Sequence, residues 1–248
     1  MKKLIPYIAC LGSFILYEAL LNYPRNWPVL AVLFFALIFF SVVYLVRKNI
    51  IEFLAFFAGL FFFVFGCFLF LFFIESKALE YTSIFITCLL IFAALRAIYL
   101  FFYESPRYVP YSLENIFTYT NLISLFFAYT ASFSFWILGI GRLRYLIALV
   151  FVSTLILVWQ MLWLHKLKGS FWLYSIIFAW LITQGYWALH FWPTSFFVNG
   201  LVLLTVFYFL FNIFLHSLKQ SLAKKVVVRY FLFSLFVVGI TLGTANWL

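Results

Sequence analysis

Residues 50–74 read IIEFLAFFAGLFFFVFGCFLFLFFI, and Glu52 is the one charge in the run. As an α-helix rising about 1.5 Å per residue, such a run exceeds the roughly 30 Å hydrocarbon core of a bilayer. A strand reading fails twice. Open strands leave backbone groups unsatisfied in lipid, and barrel strands alternate apolar with polar residues, whereas this run is apolar on every face. A membrane-crossing helix remains.

The same pattern recurs along the chain. Apolar runs at 4–21, 27–46, 50–74, 79–103, 116–140, 145–164, 171–191, 195–216 and 227–247 alternate with short charged or proline-bearing breaks. They predict an all-α, polytopic transmembrane bundle of about nine spans in a single membrane domain. An eight-span alternative makes the Trp-rich seventh run re-entrant or interfacial. Composition agrees: 68% of residues are hydrophobic and 9% charged, against about a quarter charged in soluble domains. The turns LVRKNIIEF and LHKLKGSFW fall four spans apart, as in a four-plus-four repeat, although basic turns are expected on that side anyway.

The net charge of +10 would suggest nucleic acid in a soluble protein. Here Lys and Arg sit between the apolar runs, so they read as topology signals, with the lipid bilayer as partner and no nucleic acid. With the N-terminus inside, Lys2, Lys3, Arg47, Lys48, Arg107, Lys166, Lys168, Lys219, Lys224, Lys225 and Arg229 face the cytoplasm, and Arg25, Lys77, Arg142 and Arg144 face out. That bias predicts N-in and C-out, and placement in a bacterial cytoplasmic (inner) membrane. The start MKKLIPYIACLGSF has the basic and apolar parts of a secretory signal without a convincing cleavage site, so it reads as an uncleaved first span.

Chemistry is constrained mainly by exclusion. All six acidic residues are glutamate. A DDxxD magnesium motif, an Asp-based CDP-alcohol transferase site and an aspartyl protease dyad are therefore excluded. HExxH, GxSG and Walker patterns are also missing. Cys10, Cys67 and Cys88 lie inside apolar runs without CxxC spacing and read as packing residues. No metal site and no cofactor are expected; His165 and His216 lack the paired spacing that would argue for a haem.

Lipid tails are as apolar as leucine, so helices associate through small residues and a few polar contacts. In the third run Glu52, Ala55, Gly59 and Gly66 share one face; in the fourth, Ala93, Arg96 and Ala97 do. As consecutive antiparallel helices, they would bring Glu52 and Arg96 into a buried ion pair. The alternatives are that Arg96 snorkels to the headgroups and Glu52 pairs with Lys48. In the last run Gly239 and Gly243 have GxxxG spacing, suited to packing within the chain, to a second membrane protein or to a homodimer.

Polar candidates fall into two groups. Glu18 and His190 belong to the outer side, where Glu18 is the natural proton carrier of a coupled transporter or else part of an interfacial edge with Asn22 and Arg25. Glu104, Arg107, His165 and His216 belong to the cytoplasmic side. Transporter helices are commonly broken near the midplane, but Pro6, Pro24, Pro28, Pro106, Pro110 and Pro193 all lie at run ends. The favoured reading is a non-catalytic membrane component or partner-binding subunit. A carrier for a lipid or hydrophobic solute comes second, and a membrane-bound transferase around His165, Arg107 and Glu104 third. A continuous cavity would mark the carrier, and a cleft at one headgroup level the enzyme.

Overall fold

The computed structural model describes residues 2–46, 49–165 and 170–245. Arg47, Lys48, Lys166 and Lys168 lie outside them, and with them the expected Lys48–Glu52 contact. The described residues form nine α-helices and no strands: α1 (Ile5–Asn22), α2 (Trp27–Leu45), α3 (Ile50–Leu71), α4 (Lys77–Tyr103), α5 (Ser112–Ile137), α6 (Leu143–Leu164), α7 (Phe171–Leu189), α8 (Phe196–Leu218) and α9 (Lys224–Gly243). Eight are long and apolar enough to cross a membrane; α7 falls short. Its 19 residues and lack of charge suffice, but Trp, Tyr, Gln and Ser dilute its hydropathy.

Local chemistry sets the helix ends. Pro6 and Pro28 occupy first-turn positions of α1 and α2, where the missing N–H costs nothing. Asn49 caps α3 by accepting from the Ile51 N–H at 3.0 Å, and Ser195 caps α8 through the Val198 N–H. Glu104 and a short turn at Ser105–Arg107, bearing Pro106, end α4. The fifth apolar run spans 116–140, but α5 is shifted toward the N-terminus. It begins at Ser112, with Glu114 in its first turn, and stops where Gly139 turns to φ 67°. The Ile140 N–H then reaches the Phe135 carbonyl and the Gly139 N–H reaches Trp136, a Schellman ending.

The chain divides into two compact units, Met1–Ser124 and Leu125–Leu248, with the division falling inside α5. In the first, α1 packs on α2 and more extensively on α4 than α3 does. Tyr17 of α1 is fully buried and donates to the Val64 carbonyl of α3 at 3.1 Å. Phe53, Phe57, Phe61 and Phe65 stack at i, i+4 along α3 with centroids 5.7–5.9 Å apart. Phe35 and Phe39 of α2 meet this ladder edge-on. Ala55, Gly59, Gly66 and Ala97 are buried, and Ala93 is half-buried.

The second unit is held differently. α6 and α7 pack extensively on each other, with Trp159 stacked on Trp172. The Tyr129 and Thr154 hydroxyls share a buried hydrogen bond of 2.9 Å between α5 and α6. At Gly200 of α8, an added Cβ would stand 3.1 Å from the Thr130 backbone nitrogen and closer still to its methyl. Only hydrogen fits there, so α5 and α8 touch backbone to backbone. α9 is the exception, with Thr241 its one buried residue.

Candidate functional site

At one end of the first unit, the start of α1 and the last turns of α4 enclose a polar cleft of about 180 Å³. Lys3, Tyr7, Arg96, Tyr99, Glu104 and Arg107 line it, with Pro6 and Leu100 completing the wall. The first and fourth antiparallel helices bring these ends together. A tether holds them: Lys2 Nζ donates to the Tyr103 hydroxyl at 2.7 Å and lies 4.0 Å from that ring's centroid. The same hydroxyl donates to the Leu45 carbonyl at the end of α2. Lys3, the next residue, is thereby held at the cleft.

Charge inside the cleft is unevenly compensated. The Tyr99 hydroxyl donates to Glu104 at 2.9 Å, and Arg107 pairs with the other carboxylate oxygen at 3.2 Å. The Tyr99 hydrogen bond first, then the Arg107 and Lys3 charges, hold the Glu104 carboxyl below its ordinary range against desolvation. Glu104 is ionised and committed. Lys3 and Arg96 form no ion pair among the described residues. The Arg96 guanidinium lies 5.8 Å from the Phe92 ring centroid, a cation–π contact that leaves its donors free to face the cleft.

The expected Glu52–Arg96 pair is therefore not formed. Arg96 lies on an exposed face of α4 that opens beside α1, while half-buried Glu52 occupies the first turn of α3, where the helix dipole favours a carboxylate. Adjacency in sequence suggested α3 as the partner of Arg96, but α1 lies beside it. Lys3 and Tyr99 complete the cleft; the sequence alone does not mark them, because Lys3 reads as a topology signal and Tyr99 is one tyrosine among 16. Helix alternation, which places the start of the first span beside the end of the fourth, was the available clue.

The remaining candidates are dispersed. Glu18 is half-buried on α1, and its backbone carbonyl accepts from the Asn22 side chain at 2.9 Å. His190 follows α7 with its ring 4.1 Å from that of Trp136; Nδ1 is buried without a hydrogen-bond partner among the described residues, and burial lowers the imidazole pKa. His165 closes the end of α6 through its backbone N–H. His216 spends both ring nitrogens on the α8–α9 turn, Nδ1 with Ser221 at 3.0 Å and Nε2 with Tyr230 at 3.4 Å. Among the described residues Gly239 and Gly243 have no packing partner: both are exposed, and an added Cβ meets nothing within 4 Å. They turn away from α8, which meets α9 mainly through Tyr208–Tyr230 and Phe209–Phe231.

Fold and composition define an all-α, helix-bundle integral membrane protein. The chain belongs to the family described as protein of unknown function (DUF5656), whose model matches residues 118–243. The match runs from within α5 to the last residue of α9, so it includes the Gly239 and Gly243 face, and the cleft residues precede it. No curated protein and no solved structure matches the chain.

Proposed function

We propose that the protein is a non-catalytic component of a bacterial cytoplasmic membrane that works by pairing through α9, with a second copy of itself as the partner. The observation that carries this reading is the open face at Gly239 and Gly243. A helix-interior glycine such as Gly239 costs about 0.5–1 kcal/mol relative to alanine. None of the described residues offsets that cost here, since none uses the space. A second α9 crossing at GxxxG would, through close backbone approach. Ile240 and Thr244, each following one of the glycines, are exposed and β-branched, and such side chains lose little rotamer freedom on contact. A self-complementary patch of this kind suits a two-fold dimer.

The test is single-molecule photobleaching of the full chain in liposomes at increasing lipid dilution. Two-step traces are expected for the wild type, and single-step traces for Gly239→Leu with Gly243→Leu. Thermal stability at high dilution should not fall, since both added side chains enter open space and leucine is the better helix former. A wild type that is monomeric at every dilution refutes the pairing.

The transferase reading gains a cleft containing Glu104 and Arg107. His165 is not among the residues that line it, and Glu104 is already engaged. Binding, rather than group transfer, fits that cleft.

A further inference from the structure

We infer that the cleft between α1 and α4 binds the phosphate of an anionic glycerophospholipid, held between Arg96 and Lys3. Three cations and one carboxylate line it, a balance of +2 from Lys3, Arg96, Arg107 and Glu104. Glu104 compensates Arg107 directly, so the uncompensated charge is that of Lys3 and Arg96. An anion placed there answers both at once. Guanidinium and ammonium groups make their strongest hydrogen bonds to phosphate oxygens, the guanidinium often in bidentate form.

Depth distinguishes a lipid from a soluble anion. Arg96 lies seven residues before Tyr103, the last residue of α4, or about 10 Å along the axis. Its side chain is exposed on the outside of the helix, with Phe92 below it and Tyr7, 46% exposed, across from it. A guanidinium at that depth meets a phosphate whose acyl chains continue down the same apolar wall. At about 180 Å³ the cleft is smaller than sites for drug-sized ligands, typically 300–1,000 Å³. A headgroup with its tails outside needs no more. Basic pockets between spans on the cytoplasmic side are the expected place for such heads.

Tyr99 and Glu104 tune the site. By pairing with Arg107, Glu104 keeps the outer cation from dominating and leaves Arg96 as the inner anchor. Removing the Glu104 charge while keeping its shape frees Arg107 and should tighten anion binding, an effect that a purely structural role would not produce.

The experiment is native mass spectrometry of the full chain released from mixed micelles of phosphatidylglycerol and phosphatidylcholine in equal amounts. The wild type should retain phosphatidylglycerol in about tenfold preference, the scale of one charge-assisted contact. Arg96→Gln and Lys3→Gln should each abolish most of that preference, and Glu104→Gln should raise it. Lys3 is exposed, so its variant keeps the test alive if Arg96→Gln misfolds. Equal retention of the two lipids overturns the inference, as does a preference that survives both cation variants or falls in Glu104→Gln. Millimolar inorganic phosphate should leave the lipid bound; displacement by phosphate overturns the lipid assignment in favour of a soluble anion.

Discussion

The two halves of the chain solve one problem by different means. In the first, phenylalanine rings on α2 and α3 interlock, and four charged side chains line a cleft at one end. In the second, hydroxyls are buried along α5 and α6, including Ser132, Ser134 and Ser153, and a glycine brings α8 against α5. Apolar burial drives helices together in water but has little force between helices already in lipid, leaving dispersion, close approach and hydrogen bonds. The first unit relies chiefly on dispersion between large rings. Each unit also carries a buried hydrogen bond between helices, Tyr17–Val64 in the first and Tyr129–Thr154 in the second; the second adds the close backbone approach at Gly200, and most of the family match falls there.

That contrast predicts where each half breaks. Gly200→Leu should have the largest effect, because the added side chain collides with the backbone of α5; a loss of about 3 kcal/mol or more is expected. Thermal unfolding in detergent would register it. A loss below about 1 kcal/mol would mean that α5 and α8 separate easily. Phe57→Ala removes four ring contacts at once, to Phe35, Phe39, Phe53 and Phe61. At about 0.5–1.5 kcal/mol per aromatic pair, and with partial relaxation, about 2 kcal/mol should be lost. Phe57→Leu should recover part of that; full recovery would show that bulk, not ring geometry, holds the first unit.

The smallest expected effect is pH dependence at the end of α7. Burial depresses the His190 pKa in the fold, so the unfolded chain takes up a proton first as pH falls. Stability is therefore complete above the unfolded value of about 6.5 and is lost as pH drops below it toward the folded pKa. Melting temperatures at pH 7.5 and 5.5 should differ in the wild type and converge in His190→Gln. An unchanged pH response in the variant would place the titration elsewhere.

The helices were legible in the sequence because long uncharged runs and end-placed prolines have few alternatives in lipid. Neighbour relations were less so. Chain adjacency points Arg96 toward Glu52, yet the non-sequential contact of α1 with α4 decides its surroundings. Gly200 stands alone in FFVNGLVLL, and one glycine carries no spacing, so its close approach was invisible. Gly239 and Gly243 do have the spacing, yet an added Cβ at either meets none of the described residues. A pattern of small residues marks where helices are able to meet, while topology decides whether one is there.

The Lys2–Tyr103 hydrogen bond joins residues 101 positions apart. At translation rates of about 5–20 residues per second, α1 waits some 5–20 s before the ring that fixes its first turn has been made. Until then Lys2 lacks the Tyr103 hydroxyl that it donates to in the fold. The cleft is thus a late product of biosynthesis, completed only when the fourth helix arrives, and a ribosome stalled before Tyr103 would leave a chain with inserted helices and no cleft.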